Sequence, residues 1–401
     1  MTQLRAIILI CMSLLLPACS GGAVVFAPTP LPPELTPNEF THPSGAFSVL
    51  LPRTWSLHEQ ASSVFASASF SPPESEASLV QISVVNLGRD ISTDELGELM
   101  TTYQTQVRPD IERYTEQDRQ AMGDGSWRMS GLRQTLSGDT QQLNTFIQRS
   151  GTLFLVMDVI VPQEATLRSN TQTIINTLAI AESDATVDLP VADLTVLSGA
   201  SVAPISVVNL STWTTPTGIF YVTGEVRNSD DNPISELPVR VQLLTTAGDV
   251  VADAGDIVMG HAIESGGFAP FSVRFGQGQP SNASQYQISL GADNYTPQEQ
   301  AVIGFPTLSW TDETQSNADG ALFITGSVTN TGTDDLLSPR AIVTLFDESG
   351  RVIAAGFADA NTTILPAGES ADFTVLISEL GGAPANYVVN VQALPCDASC
   401  E

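Results

Sequence analysis

Residues 221–228 read Tyr-Val-Thr-Gly-Glu-Val-Arg-Asn, and residues 323–330 read Phe-Ile-Thr-Gly-Ser-Val-Thr-Asn, the same pattern 102 positions later. The offset holds without a gap. It pairs Val239, Val241 and Leu243 with Ala341, Val343 and Leu345, Gly248 with Gly350, Val251 with Ile353, Ala252 with Ala354, and Phe271 with Phe373. Alternation is common to half-buried strands in general, but one register kept over about fifty residues requires a duplicated unit. Whatever one copy folds into, the other should fold into as well.

Within a copy, Val239-Arg240-Val241-Gln242-Leu243 alternates apolar and polar side chains, the period of a strand with one packed and one wet face. Asp249 and Glu348-Ser349-Gly350 read as hairpin turns. Gly224 and Gly326 interrupt strands, which points to a bulge or a close backbone approach. Two all-β sandwiches are expected, at 204–300 and 301–395. The second copy resembles the FxLYD family, an immunoglobulin-like bacterial module: Val343-Thr344-Leu345-Phe346-Asp347 stands at the name motif. Gly326-x-Val328-x-Asn330 and Leu365-Pro366-Ala367-Gly368-Glu369-Ser370-x-x-Phe373 fit its flanks. The first copy has Val241-Gln242-Leu243-Leu244-Thr245 there, without the aromatic and the Asp, so its membership rests on the repeat. The resemblance implies immunoglobulin-like sandwiches in an extracytoplasmic protein and carries no catalytic residues.

Residues 40–182 mix two periods. Residues 46–51 form an apolar-rich strand closed by Pro52 and followed by Trp55, and 79–87 form another with Leu79, Ile82, Val84 and Val85 as core. Ser92 is placed to cap a helix whose first turn holds Asp94 and Glu95 and whose stripe is Leu96, Leu99, Met100 and Tyr103. Strands are expected at 111–120, 126–136, 141–149 and 152–161. A last helix at 163–178 turns Leu167, Ile174, Ile175 and Leu178 inward. The sum is an α+β sandwich, an antiparallel sheet with two helices on one face. The opening from His42 to Trp55 resembles the PsbP/DcrB-like domains, with Gly45-x-Phe47, Pro52 and Trp55 at the spacing of that family, and Ile174-Ile175-Asn176-Thr177-Leu178 resembles its close. That resemblance implies a fold that binds or assembles. A polar, Asp-rich connector is expected at 183–203.

The first eighteen residues have one positive charge, Arg5, then an apolar run at 6–16 that is shorter than the roughly 20 residues needed to span a bilayer. Leu16-Pro17-Ala18-Cys19 resembles the bacterial lipobox, which implies signal cleavage between Ala18 and Cys19 and diacylglyceryl attachment to Cys19. Two or more acyl chains hold a soluble protein stably on a membrane. Residues 19–39 are then a tether, stiffened by five prolines within 27–37. At the other end, 396–401 is a short tail in which Cys396 and Cys400 are a candidate disulfide in an oxidising envelope.

The net charge is -29, every basic residue is arginine, and residues 183–401 hold 26 Asp and Glu against 5 Arg. Phosphate neutralisation needs clustered positive charge, so no nucleic-acid partner is expected. Anionic lipid headgroups would be repelled, leaving the lipid anchor as the membrane contact. Only His42, His58 and His261 could supply imidazole, and neither His-x-x-x-His, Cys-x-x-Cys nor Gly-x-Ser-x-Gly occurs. No cofactor is implied. Asp230-Asp231-Asn232 and Asp334-Asp335 occupy corresponding loops and are weak calcium candidates, since calcium wants six to eight oxygens. The expected function is that of a non-enzymatic lipoprotein of the cell envelope, an extracytoplasmic scaffold that presents surfaces to an envelope protein partner. The alternatives are a solute- or ion-binding lipoprotein with a pocket in 40–182, and a hydrolase built on His58 and a carboxylate.

Overall fold

The computed structural model describes residues 37–396, except 61, 74, 76–78, 136–137, 201–204, 292–294, 296–299 and 318–319. The signal segment, Ala18, Cys19, most of the tether and Cys400 therefore lie outside the described residues. Strand accounts for 51% and helix for 11%, so the architecture is multidomain and β-rich.

The N-terminal part runs β1 (Asn38–Thr41), β2 (Phe47–Leu51), β3 (Ser56–Gln60), β4 (Ala66–Ser71), β5 (Val80–Asn86), α1 (Thr93–Thr102), β6 (Tyr114–Ala121), β7 (Trp127–Gln134), β8 (Thr140–Ser150), β9 (Leu153–Ile160), α2 (Ala165–Thr177) and β10 (Ala179–Ile180). Ser92 caps α1, its side chain accepting from the Glu95 amide, and Glu164 caps α2 through the amides of Thr166 and Leu167. Every residue of β9 is buried. A strand whose residues 153–157 are all apolar needs cover on both faces, and β9 has it. Leu155, Met157 and Val159 pack with Ile174 and Leu167 of α2 and with β2, whereas Phe154 and Val156 pack with Leu96 and Met100 of α1. Successive strand residues point to opposite faces, so the two helices cover opposite faces rather than one. One other expectation is corrected: residues 111–113 are a 3-10 turn before β6. Within the connector most described residues are exposed, and Leu189, Leu194 and Leu197 are buried anchors, the last two in a 3-10 turn (Leu194–Gly199) that packs on the α1 side.

The next segment runs β11 (Ile205–Thr214), β12 (Phe220–Asn228), β13 (Ile234–Ser235), β14 (Pro238–Leu244), β15 (Val250–Ile257), β16 (Ala262–Ile263), β17 (Phe268–Phe275) and β18 (Gln285–Leu290). The last runs β19 (Leu308–Ser316), β20 (Leu322–Asn330), β21 (Leu336–Phe346), β22 (Val352–Asp359), β23 (Ile364–Leu365), β24 (Ser370–Ile377) and β25 (Asn386–Pro395). Their registers repeat at the sequence offset. Gly224 faces Phe271 across β12 and β17, and Gly326 faces Phe373 across β20 and β24; Leu243 faces Ala252, and Leu345 faces Ala354. Asn228 and Asn330 are both fully buried. Each donates from Nδ2 at 2.8 Å to the carbonyl four residues on and at 3.1 Å to Ile263 or Leu365, pinning equivalent corners. Each segment has its own apolar core, around Val222, Val241 and Phe271 in one and Ile324, Val343 and Phe373 in the other.

The ten-stranded sheet has the order β15-β14-β18-β3-β4-β5-β9-β8-β7-β6. It crosses from the first repeat into the N-terminal part through β18 and β3, which pair in parallel with Ile288 opposite Ser56 and Leu290 opposite His58. Gln287 Nε2 donates to the Trp55 carbonyl at 2.7 Å, Arg53 Nη2 to Thr246 O at 3.1 Å, and Ser71 Oγ to Ile205 O at 3.3 Å. The N-terminal part and the first repeat thus share one sheet.

Candidate functional site

A cleft lies between the two repeats. One wall is the outer face of β11, β12 and β17, with Asn209, Glu225, Phe268 and Pro270; the other is the outer face of β21 and β25, with Ile342, Phe346, Val388 and Gln392. It encloses about 400 Å³, within the range of ligand clefts.

Hydrogen bonds hold the walls in place. The Gln392 side chain is buried. Its Oε1 accepts from the His261 amide at 2.9 Å and its Nε2 donates to the Ala262 carbonyl at 2.9 Å. His261 Nε2 lies 2.7 Å from the Ser338 carbonyl, which can only accept, so that nitrogen carries the proton. Burial lowers the pKa of His261, keeping it the neutral donor. Thr223 Oγ1 donates to Val352 O at 2.6 Å and accepts from Trp213 Nε1 at 3.3 Å. Trp213 stacks on Tyr221 with centroids 4.2 Å apart, and the Tyr221 hydroxyl bonds Glu379. Gly381 closes over Trp213: a Cβ there would lie 2.5 Å from the indole, so only glycine fits.

The floor of the cleft has a local cause. Asn209 and Leu210 form a β-bulge opposite Gly224, and Asn209 takes φ 55. Its Nδ2 donates to Glu225 Oε2 at 2.7 Å, holding a carboxylate that is 8% exposed. The second repeat pairs Asp312 with Gly326 in plain register at the corresponding place.

A second polar cluster sits inside the N-terminal part. The Arg108 side chain is fully buried; Nε donates to Asp110 at 2.8 Å, Nη2 to Asp158 at 3.0 Å, and Nη1 to Thr145 and Gln104. Its guanidinium lies 3.9 Å from the Tyr114 ring centroid. Burial opposes the Arg108 charge, but Asp158, Tyr103 and Asp110 outweigh it and its pKa rises; burial likewise pushes Tyr114 up to about 12. With Arg133 on Asp110 at 2.9 Å, two cations meet two carboxylates and the cluster closes on itself. It joins the turn after α1 to β8 and β9.

The residues singled out from sequence are scattered. Asp230 and Asp231 lie in the turn after β12, where Asp230 Oδ1 accepts from the Asp231 amide; Asp335 accepts from the Ala367 amide in the turn region after β20. Asp334 contributes its backbone carbonyl to Asn330. Among the described residues no three His, Cys, Asp or Glu side chains gather to hold a metal. Cys396 is disulfide-bonded; its candidate partner Cys400 is outside the described residues. His42 bonds Ser44, and His58 lies at the β3–β18 seam with Nδ1 buried. Burial lowers the pKa of both His42 and His58 to about 4, so both are neutral near pH 7. No helix among the described residues is long and apolar enough to cross a membrane.

No protein-family model matches the chain, and no curated protein matches it. Solved structures do. A crystal structure from Bacteroides thetaiotaomicron shares 15% identity and a TM-score of 0.26 over 37% of this chain, which spans half the length of that one. The solution structure of PsbP from the cyanobacterium Synechocystis shares 12% identity and a TM-score of 0.29, covering 41% of this chain and 99% of that one. An exo-chitosanase from Amycolatopsis orientalis shares 14% identity and a TM-score of 0.17 over 47% of this chain and 26% of that one. The expectation that the chain is not an enzyme is corrected on this point, since an enzyme stands among the structures it resembles. Likeness at these TM-scores assigns no activity.

Proposed function

We propose that the chain is a lipid-anchored extracytoplasmic protein of the bacterial envelope whose β-rich body presents an interaction surface to another envelope protein. The observation that carries this reading is the locked, partly apolar cleft between the repeats, with walls fixed by Gln392, Thr223 and Trp213. A surface held in one shape loses little freedom on binding, which favours recognition. In this reading Cys19 carries the lipid after cleavage behind Ala18, Cys396 pairs with Cys400, residues 40–182 are a PsbP/DcrB-like domain, and 204–300 and 301–395 are FxLYD-like immunoglobulin-like domains. Anchoring is tested by Cys19→Ala with fatty-acid labelling. Loss of label and release from the membrane are expected, and label retained in the variant would refute it. Interaction is tested by crosslinking the intact protein in its own membrane; absence of any crosslinked protein would refute it.

A second reading is solute binding by the N-terminal part. It is favoured by a cleft of about 320 Å³ lined by Thr93, Asp94, Gly97, Met122, Ser126 and Trp127. A ligand-induced rise in melting temperature that Trp127→Ala removes would move the assignment there.

A further inference from the structure

We propose that the edge of β25, beside the cleft between the repeats, accepts an extended segment of a partner protein as a further strand. The segment runs parallel to β25, sets apolar side chains at alternate positions into the cleft, and carries no acidic residues. The proposal rests on the interaction reading above and names its site and ligand chemistry.

The first repeat supplies the precedent. Across β14 and β18, Val241 faces Ile288 and Leu243 faces Tyr286. Across β21 and β25, Val343 faces Val389 and Leu345 faces Tyr387, so β18 and β25 are the same strand of the shared fold. On β18 the far edge is filled by β3, in parallel, over Ile288–Leu290. On β25 the far edge starts from Ala393, which exchanges both backbone hydrogen bonds with Ile303, at 2.8 and 2.9 Å, and so points away from β21. Alternate residues of a strand present N–H and C=O to the same side, which turns Val391, Val389 and Tyr387 outward as well. Val391 is fully buried. Tyr387 and Val389 are the open rungs: among the described residues no backbone hydrogen bond reaches them from that side.

The other long edge strands are guarded. Charged residues stand in β6, β15, β17, β19, β22 and β24, and β11 has its bulge. From Asn386 to Leu394 β25 has no charge and no proline, and from Asn386 to Gln392 it follows β21 without a shift in register. Such an edge is a template for strand addition. The cleft lies against it, since Val388, Val389 and Asn390 all line the cavity. Successive side chains point to opposite faces, so a cavity that meets all three reaches the backbone edge. Val388 is 53% exposed and Phe268, on the facing wall, 47%, which is apolar surface an added strand would cover. The volume of about 400 Å³ holds one or two side chains rather than a folded domain. Charge disfavours a second copy, since each chain carries -29. Residues 183–401 hold 26 acidic side chains against 5 arginines, an excess that no internal pairing removes and that repels an acidic segment.

The test uses the full-length chain in neutral detergent and a fluorescent peptide, Val-Thr-Val-Thr-Val between two arginines. With its valines in the cleft, a strand parallel to β25 turns the valine amides towards β25 and the threonine amides away. Saturable binding should therefore survive N-methylation of the threonines and be lost on N-methylation of the valines. Any other pattern, or equal affinity when glutamates replace the arginines, would overturn the proposal. Val389→Pro removes an outward amide that the fold leaves unused, and Phe268→Ser installs the residue that the second repeat carries there, Ser370. Each should weaken binding about tenfold, and affinity unchanged in both would count against the site. Hydrogen exchange at the Tyr387 and Val389 amides should slow when the peptide binds, and unchanged exchange would likewise refute pairing there. Self-association of the chain that Val389→Pro disperses would give the edge to a second copy instead. Photo-crosslinkers at Val388 and, away from the cleft, at Thr374 separate this failure from that of the broader reading. In native membranes, crosslinks from Val388 that the peptide competes away support the edge. Crosslinks from Val388 that it does not displace, or from Thr374 alone, remove the edge and leave the interaction reading, and crosslinks from neither remove both.

Discussion

Gly224 and Gly326 occupy the same position in the two repeats, yet alanine should be tolerated at one and not at the other. At Gly326 a Cβ would lie 2.3 Å from the Thr311 carbonyl oxygen and 2.4 Å from Phe373 Cζ. The first contact is backbone in a paired strand, and Phe373 is buried in the core, so neither can retreat cheaply. At Gly224 the bulge at Asn209 and Leu210 opens the opposing strand, and the nearest atoms are Phe271 Cζ at 3.0 Å and Leu210 Cδ1 at 3.2 Å, so its neighbours need give far less than at Gly326 although Phe271 is as buried as Phe373. Overpacking costs about 1–3 kcal/mol, while Gly→Ala returns about 0.4–1 kcal/mol by restricting the unfolded chain. Gly326→Ala should therefore lose about 2 kcal/mol, and Gly224→Ala less than about 1 kcal/mol. Urea denaturation of the full chain measures the midpoint at constant slope. Hydrogen exchange of β20 and β12 amides reports which repeat has loosened. Equal losses, or a larger one at Gly224, would refute the reasoning that the bulge makes room.

Leu345→Ala should cost about 2–5 kcal/mol, because the side chain is 1% exposed; a loss below about half a kcal/mol by denaturation would mean it does not fill the core. Arg108→Met leaves buried Asp158 without its cation, while Asp110 keeps Arg133, and should cost about 3–5 kcal/mol, with a loss under 1 kcal/mol contradicting a buried network. His42 and His58 have pKa values lowered from 6.5 to about 4 by burial. Between these values the unfolded chain takes up protons that the folded chain refuses, so stability falls as pH drops from about 6.5 towards 4, by up to about 1.4 kcal/mol per pH unit for each. His58→Gln should make the stability-pH profile shallower in that window, and an unchanged slope would show that His58 is not buried neutral.

Local pattern and repeat register were legible before any coordinates. The alternation in 239–243 places Val239, Val241 and Leu243 in the core, and Ser92 caps the helix its spacing indicated. What could not be read was pairing between distant segments. Nothing near Ser56 or Ile288 announces that these residues lie side by side in one sheet, and Arg108 reads as a solvated arginine until β8 and β9 close over it. The apolar run Leu153–Met157 of β9 did hold a signal, that both its faces are covered, which the one-faced arrangement of helices does not meet. The inter-repeat site was also written in the sequence, in the places where the copies disagree. Trp213 against Gln315, Tyr221 against Phe323 and Phe268 against Ser370 share backbone positions, but only the first of each pair lies on the face that meets the other repeat.

The parallel seam between β3 and β18 has a consequence for anyone dividing this chain. Cutting in the former connector would not release an independent module. It would bare the edge of β18 (Gln285–Leu290) where Ile288, Ser289 and Leu290 now pair with β3, leaving those amide and carbonyl groups without their strand partner. Half of that edge is apolar, and it carries neither proline nor charge, the devices by which natural edges discourage unwanted pairing. Isolated repeats should accordingly stick to one another edge to edge, and a soluble fragment needs either the N-terminal strands retained or a charged residue written into β18 at Gln287 or Ser289, whose side chains the N-terminal part now buries.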